Sequence, residues 1–347
     1  MTIEPDISAE EKIQKLAQEL QAFLGGDKAT VSRLREMEDG HAGLTFGFDL
    51  VDNGNTSSFI LKKAPTGVKR SGSTDIYRQA ELLKALHGSG FPAPDVKWAS
   101  SGEEELGAPF IIMEMLPGRT CIMWDPAPEF KSDPSIIKGI WHSTAELMGE
   151  LHQFNWSRDL SDWDKPTTLS EELSRWDRLF HHTENESWKQ TAHVLYERLA
   201  ETLPSNVQMG LVHGDLQPGN LLVGGPGEVS LIDWDLAAIA PLGTDVGWLL
   251  MMSEREAWPS DWAPAQPISH ADLLETYWHK GGPVTENLDW YQAFSQFKMA
   301  SITGLNLKLH RSGRRHDPIW EKFAHAVPIQ LNHAMQLASK LTPSQEI

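Results

Sequence analysis

The 347-residue sequence predicts an α+β protein of two lobes, in which a small antiparallel sheet with one main helix precedes a larger, mostly helical lobe. Strand patterns fill most of residues 31–63 and return before position 116. Helical periodicity dominates beyond Pro117-Gly118, and the only clear strands of the second part lie between Leu211 and Ile232. We therefore expect an N-terminal helix at 1–26, a first lobe at 27–116 and a second lobe at 117–347.

The N-terminal helix is predicted from a start signal, an apolar stripe and a stop signal. Ser8 and Glu11 have the spacing of a capping box, and Gly25-Gly26 ends the pattern. Between them the apolar residues recur at helical spacing, at Ile13, Leu16, Leu20 and Leu24.

The first lobe should contain two hairpin strands, one helix and one further strand. Leu44–Val51 and Ser58–Lys62 are typical of strands, and the turn cluster at 52–55 separates them. Residues 75–88 carry an apolar helical stripe, and Phe110–Met115 is a short apolar strand. This order predicts a small sheet with one helix packed on it.

The second lobe shows long helical patterns at 136–154 and 169–203. Several tryptophans lie there among acidic residues, a combination that suits a cationic or sugar-bearing ligand, but we favour their interpretation as core residues because large aromatic side chains are mostly buried. They are Trp156, Trp163, Trp176 and Trp188.

Composition excludes several classes of function. The net charge of −18 argues against a nucleic-acid partner, which would require a basic face. No apolar run approaches the roughly 20 residues of a membrane span, and the acidic N-terminus lacks the pattern of a signal peptide. Cys121 is the only cysteine, so an intramolecular disulfide is impossible and we expect a cytoplasmic setting.

The segment 211–235 carries the residues best suited to chemistry. An apolar strand leads into a polar loop with Asp215 and Asn220, and a glycine-rich turn then returns the chain to Asp233. If Leu221–Val223 pairs with Ser230–Ile232, one more step of register sets Asn220 opposite Asp233, with Cβ atoms about 5 Å apart. Amide and carboxylate oxygens are the ligands that Mg²⁺ prefers, so a magnesium site is predicted there.

These residues also carry a resemblance. The segment 213–215 with Asn220, followed by the segment 232–235, resembles the catalytic and metal-binding motifs of the aminoglycoside phosphotransferase and choline kinase superfamily, a branch of the protein-kinase-like fold. The resemblance extends more loosely from about residue 30 to residue 255. It implies transfer of the γ-phosphoryl group of ATP to a hydroxyl of a small-molecule acceptor, with Mg²⁺. The second lobe is expected to bind the acceptor. By resemblance, Asp215 is the general base, and Asn220 and Asp233 are the metal ligands.

The same resemblance assigns supporting roles in the second lobe. His213 is expected to brace the catalytic loop, and Asp245, at the start of a helix, is expected to hold that loop by hydrogen bonds. Asp235 is left with two interpretations, contact with a second metal ion or exposure to solvent.

In the first lobe, Lys62 resembles the lysine that contacts the phosphates, while Lys63 points to the opposite face of its strand. Gln79 occupies the helix position where the family has the glutamate partner of that lysine. Glu81 lies about 200° further around the helix. Whether Gln79 or Glu81 is the partner of the lysine stays open.

Two further segments resemble nucleotide contacts of the family. The loop at 39–45 matches the nucleotide-covering loop, so the backbone of Gly40, His41 and Gly43 is assigned to the phosphates. The segment 111–118 resembles the hinge, in which the backbone of Glu114 and Leu116 would bind adenine.

Two alternatives accompany this interpretation. A choline-type alcohol kinase or a protein kinase would use the same motifs, although little sequence separates Asp235 from Pro241 and leaves no room for a typical activation loop. A non-catalytic nucleotide-binding module is the alternative of another class, and its only support is the departure at Gln79.

Overall fold

The computed structural model describes residues 9–26, 29–37, 44–64, 75–225 and 227–342. By internal contacts the chain forms two compact units. The sheet unit comprises Met1–Pro117 together with Ser230–Leu236, and the helical unit comprises Gly118–Val229 together with Ala237–Ile347. Ser8, the predicted capping residue of the first helix, lies outside the described residues.

The sheet unit is built on an antiparallel sheet with strand order β1-β2-β3-β5-β4. Its described helices are α1 (Ala9–Leu24) and α2 (Arg78–Gly88). Its strands are β1 (Ala29–Glu36), β2 (Leu44–Asp52), β3 (Asn55–Lys63), β4 (Val96–Ser100) and β5 (Phe110–Glu114). The sequence did not predict β4, which lacks a clear alternation of apolar and polar residues.

A tight turn fixes the register of β2 and β3. Asn53 and Gly54 both have positive φ, 49° and 83°, as the two central residues of a hairpin turn of this twist require. The ladder then pairs Asp52 with Asn55 and sets Lys62 between Thr45 on β2 and Ile111 on β5. The lysine therefore stands on an inner strand of the sheet.

One face of this sheet packs on α1. Alternate residues of the three inner strands point to that face, because side chains on a strand alternate between its two faces. The buried cluster consists of Leu16, Leu20, Phe46, Phe48, Phe59, Leu61, Leu106, Phe110 and Ile112. Since Leu61 points to this face, its neighbour Lys62 points to the other.

The helical unit is organised around the long helix α10 (Leu288–Arg311), which packs on α6, α8 and α12. Thr168 and Glu171 form a reciprocal capping box at the start of α6. The other described helices are α3 (Pro128–Lys131), α4 (Pro134–Leu151), α5 (Trp156–Asp159), α6 (Leu169–Phe180), α7 (Glu186–Glu201), α8 (Gly243–Ser253), α9 (His270–His279), α11 (Ile319–Phe323) and α12 (Val327–Ser339).

Helices α8 and α10 approach each other closely at two glycines of α8. A Cβ atom placed on Gly243 would lie 2.3 Å from the ring of Tyr291, and one placed on Gly247 would lie 2.5 Å from the backbone of Tyr291. Both distances are far below van der Waals contact, so the spacing of the two helices depends on the absence of side chains there.

Short strands position the functional loop. β6 (Met209–Val212) pairs antiparallel with β9 (Ala238–Pro241), which the sequence did not predict. β7 (Leu221–Val223) and β8 (Val229–Leu231) form a two-stranded sheet. Within the described ranges, no helix combines the length and apolar character that a membrane crossing requires.

Candidate functional site

In the sheet unit, the lysine on β3 contacts two carboxylates. Lys62 Nζ lies 2.6 Å from Asp235 Oδ1 and 3.5 Å from Asp233 Oδ1, and the residue is only 7% exposed. Burial acts to lower the pKa of Lys62, but the two carboxylates outweigh it and the pKa is raised. The lysine is therefore held as a cation beside Asp233 and Asp235.

Gln79 belongs to the same group. It lies on α2, is 2% exposed, and donates its Nε2 to Asp235 Oδ1 at 2.6 Å. Glu81, two residues on, is exposed. The sequence left open whether Gln79 or Glu81 is the partner of Lys62. In the structure the carboxylate beside Lys62 belongs to Asp235, so neither of the two residues forms its ion pair.

Asp235 therefore lies in surroundings that the sequence did not reveal. It is 7% exposed, so the interpretation in which it faces solvent is wrong. Burial and the charge of Asp233 raise the pKa of Asp235, whereas Lys62 and Gln79 act to lower it. Two features of the sequence together could have indicated these surroundings. They are the amide of Gln79, at the helix position where the family has a glutamate, and the extra carboxylate two residues after Asp233.

The segment 230–236 is anchored within the sheet unit. Leu231 donates its amide to Pro92 O at 2.9 Å, and the buried Trp234 packs edge-on against Phe91 with ring centroids 5.9 Å apart. Asp233 has φ 64°, a left-handed conformation that few non-glycine residues adopt. Such strain is typical of functional positions.

In the helical unit, three side-chain donors surround the carboxylate of Asp215. Gln217 Nε2 and Trp248 Nε1 donate to Oδ1 at 2.8 Å and 2.9 Å, and Asn220 Nδ2 donates to Oδ2 at 3.0 Å. Asn220 Nδ2 also lies 2.7 Å from the carbonyl oxygen of Asp215. The carboxylate is therefore fixed in orientation from both of its oxygens. Trp248, on α8, was not singled out from the sequence.

The backbone around Asp215 is held by a buried carboxylate on α8. Asp245 Oδ2 accepts the amide of His213 at 2.7 Å, and its Oδ1 accepts the amide of Gly214 at 2.8 Å. Burial acts to raise the pKa of Asp245, but its hydrogen bond to His152, together with His213, lowers the pKa below its ordinary value. His213 is fully buried, and its Nδ1 accepts the amide of Asp215 at 3.2 Å.

Asn220 does not continue the strand ladder as the sequence predicted. Pro218–Asn220 forms a 3₁₀ turn before β7, and Asp233 follows β8 with a positive φ. Neither residue therefore belongs to a strand, as the predicted extension of the ladder required. The cause is local: the tight turn at Pro218 lets Asn220 reach back to Asp215.

Asn220 and Asp233 each offer an oxygen of the kind that Mg²⁺ prefers. Both donor contacts of Asn220 go to Asp215, and among the described residues no donor is hydrogen-bonded to Asn220 Oδ1. Asp233 meets Lys62 through Oδ1, and its side chain is 31% exposed. An amide oxygen and a partly exposed carboxylate are ligands of the kind that Mg²⁺ takes together with water and phosphate oxygens.

Of the other first-lobe residues that were predicted to contact the nucleotide, the structure describes only some. Gly40, His41 and Gly43 lie outside the described residues. Glu114 ends β5 and donates its amide to Asp95 O at 3.0 Å, and Leu116 follows it just before Pro117. Their contacts with adenine stay a prediction.

A family profile and solved structures match this chain over most of its length. The profile of a family described as "Phosphotransferase enzyme family" matches residues 35–291. A structure described as a candidate aminoglycoside phosphotransferase from Ralstonia eutropha JMP134 superposes with a TM-score of 0.75 and 22% identity, covering 94% of this chain and 98% of that one. A thermostable mutant of an aminoglycoside phosphotransferase, in ternary complex with ADP and hygromycin B, superposes with a TM-score of 0.60 and 13% identity, covering 94% and 98%.

A curated relative is a longer protein with a different name. The mouse protein named acyl-CoA dehydrogenase family member 10 is 24% identical over 300 residues, which cover 82% of this chain and 27% of the relative. This chain therefore spans about a quarter of that protein's length.

Proposed function

This chain belongs to the phosphotransferase enzyme family, and we propose that it transfers the γ-phosphoryl group of ATP to a hydroxyl group of a small molecule. The observation that carries the proposal is the fixed carboxylate of Asp215, which three side-chain donors orient. Phosphoryl transfer depends mainly on positioning and charge stabilisation, so an oriented carboxylate and a set of phosphate-binding groups suffice for it.

Asp215 is the proposed base. It would accept a hydrogen bond from the acceptor hydroxyl, orient its oxygen towards the γ-phosphorus and take up its proton as the oxygen–phosphorus bond forms and the bond from phosphorus to the bridging oxygen breaks, with ADP as the leaving group. The hydrogen bonds from Gln217, Trp248 and Asn220 keep the carboxylate in place before the acceptor arrives. His213 and Asp245 support it through the backbone of the loop.

Lys62 is the proposed phosphate contact, and its raised pKa keeps it cationic. Asn220 and Asp233 are the proposed magnesium ligands. Mg²⁺, when bound, would neutralise charge on the phosphate oxygens. Backbone groups of Gly40, His41 and Gly43 are proposed for the phosphates, and those of Glu114 and Leu116 for adenine. The ternary complex of a structural neighbour with ADP supports a nucleotide at this fold.

The Gln79 departure no longer favours a non-catalytic module. Its amide supports Asp235, and Asp235 supplies the negative charge beside Lys62 that a helix glutamate would supply. The lysine therefore keeps a charged partner, as an active kinase requires.

The acceptor is proposed to be a small hydroxyl compound. The neighbour in complex with hygromycin B supports an antibiotic or sugar-like acceptor. The name of the mouse relative motivates a second group, hydroxyacyl-CoA thioesters. A cytoplasmic setting stays a prediction from the single cysteine, which is a buried free thiol.

A coupled ADP-release screen tests the proposal. The purified chain is given ATP and Mg²⁺ with sugars, aminoglycosides, macrolides, amino alcohols, aromatic alcohols and hydroxyacyl-CoA thioesters. At least one acceptor should give ADP release above the acceptor-free rate, with a phosphorylated product by mass spectrometry.

The base assignment is tested with the active acceptor. Asp215→Asn should lower kcat by about 10² to 10⁴, the usual range for a lost general base, and should retain MgATP affinity by calorimetry. The exposed Asp261→Asn is the matched control and should keep wild-type turnover. Wild-type turnover in Asp215→Asn would refute the assignment.

A further inference from the structure

Helix α10 carries a buried lysine for which the proposed mechanism has no role so far. Lys298 is the only charged residue between Asp289 and Lys308, and it is 7% exposed. Every residue of this helix from Trp290 to Ser301 is buried. A lysine is seldom buried unless specific contacts compensate its lost hydration, so its contacts should explain its presence.

The ammonium group of Lys298 contacts the catalytic loop directly. Its Nζ donates to the carbonyl oxygen of Gly214, the residue before Asp215. The amide of Gly214 donates to Asp245 Oδ1 at 2.8 Å, and Gly214 has φ 83°. The backbone of Gly214 is thus held on one side by a buried carboxylate and on the other by a buried ammonium group.

The same ammonium group lies between two indole rings. Lys298 Nζ is 4.4 Å from the ring centroid of Trp248 and 5.2 Å from that of Trp176. Both distances are within the range of cation–π attraction, which strengthens when the groups are shielded from water. Trp176 is fixed in turn, since its Nε1 donates to the buried Glu172 Oε2 at 3.0 Å.

Trp248 links this stack to the base. Its ring faces Lys298, and its Nε1 donates to Asp215 Oδ1 at 2.9 Å. Lys298 therefore reaches Asp215 by two routes, through the Gly214 carbonyl and through the Trp248 ring. Burial lowers the pKa of Lys298, while the charges of Glu172, Asp215 and Asp245 act to raise it.

We propose that Lys298 is a positioning residue of the phosphoryl transfer, which sets the catalytic loop and the carboxylate of Asp215 through Gly214 and Trp248. The inference rests on the proposed function. Packing alone does not account for the residue, because a methionine of similar length would fill the same space without a buried amine. What the amine adds is a donor to the loop carbonyl and an attraction for the indole ring.

The first test compares Lys298→Met with Lys308→Met, which removes the same group from the same helix ten residues on. Lys298→Met should lower kcat by about 10- to 100-fold, the loss expected when a base is displaced by a fraction of an ångström to an ångström, with less than about a twofold change in the KM for ATP. Lys308→Met should match the wild type. Wild-type kcat in Lys298→Met would overturn the proposal.

A thermal melt separates positioning from a merely structural role. Lys298→Met is expected to melt below the wild-type temperature, because the buried Gly214 carbonyl loses its donor, so kcat is expressed per folded molecule. A melting temperature clearly below that of the wild type, with kcat per folded molecule unchanged, would show that Lys298 acts on stability and would overturn the proposal.

A second measurement does not depend on any acceptor. With ¹⁵N-labelled tryptophan, the chain gives indole signals from its 14 tryptophans, and Trp248→Phe identifies the one from Trp248. In Lys298→Met that signal should shift, and its proton should exchange with solvent at least about tenfold faster. An unchanged Trp248 signal would overturn the inference.

The two proposals can fail separately. If no acceptor is turned over, the proposed function loses its support, but the Trp248 signal still decides whether Lys298 sets the contact with Asp215. If turnover is found and Lys298→Met leaves both kcat and the indole signal unchanged, the proposed function stands and the role of Lys298 is refuted.

Discussion

Gln79 and Asp235 are joined by a buried hydrogen bond, in which Gln79 Nε2 donates to Asp235 Oδ1 at 2.6 Å. The same oxygen accepts from Lys62 Nζ at 2.6 Å. The uncharged amide of Gln79 on α2 therefore does not take over the role of the glutamate that the family has at this position. It supports a carboxylate that lies 156 residues away in sequence and forms the ion pair.

The first prediction follows from this ion pair. Asp235→Asn should raise the KM for ATP by about tenfold or more, because Lys62 loses the buried charge that holds it. Steady-state kinetics with varied ATP measures the change. Glu81→Gln, an exposed residue on the same helix, is the control. A large loss in Glu81→Gln, with Asp235→Asn unaffected, would show that Glu81 is the true partner.

The second prediction separates the two neighbouring lysines of β3. Lys62→Ala should raise the KM for ATP by about tenfold or more, since a single fixed cation contacts the phosphates. Lys63 points to the other face of the strand, near Glu19 and Lys15 of α1, so Lys63→Ala should leave the KM for ATP nearly unchanged. Equal effects of the two variants would contradict the assignment.

The third prediction concerns the metal. Asp233→Ala should abolish the dependence of nucleotide affinity on Mg²⁺, because the ion loses its charged protein ligand. Calorimetry with ATP, with and without Mg²⁺, measures this directly. If the mutant still binds MgATP as tightly as the wild type, Asp233 is not a ligand.

The fourth prediction concerns stability. Asp245→Asn should lower the free energy of unfolding at pH 7 by about 2 to 4 kcal/mol, because a buried carboxylate that accepts two backbone amides is replaced by a group with donors of its own. Urea unfolding measures the difference.

The same variant has a pH signature. The pKa of Asp245 is lower in the folded chain than its ordinary value, so its ionised form adds stability above that ordinary value, about 3.9, and this stability is lost as pH falls through the folded pKa. The difference between wild type and Asp245→Asn should therefore shrink as pH is lowered below about 4. A difference that does not vary with pH would contradict the assignment.

The fifth prediction uses the single thiol. Burial raises the pKa of Cys121 to about 11, and the residue is fully buried. At pH 8 a disulfide reagent should react with the native chain at least about 10² times more slowly than with the urea-unfolded chain, because the thiolate is the reacting species. Equal rates would show that the thiol is accessible.

Much of the fold could be predicted because its elements carry local signals. The Asn-Gly turn fixed the β2–β3 hairpin, and apolar periodicity located α1 and α2. The short strands β4 and β9 were missed, because a few residues without alternation carry no period of their own.

The site was predictable only where residues act through motifs. Asp215 and Asn220 lie in one loop, so their spacing made them candidates. The proposed roles of Asp235 and Lys298 rest on contacts with residues distant in sequence, which spacing does not report. Even so, a lone charge between Asp289 and Lys308, in an otherwise uncharged stretch of helix, was a usable signal for Lys298.

The two glycines of α8 bear on how this protein tolerates mutation. Gly243 and Gly247 let α8 press against Tyr291 of α10, and α8 carries Asp245 and Trp248. A methyl group at either glycine would move the helix that bears both of these side chains. Mutations at these two glycines should therefore be temperature-sensitive. Selection at low temperature should retain them and selection at high temperature should remove them, although neither glycine is among the proposed catalytic residues or metal ligands.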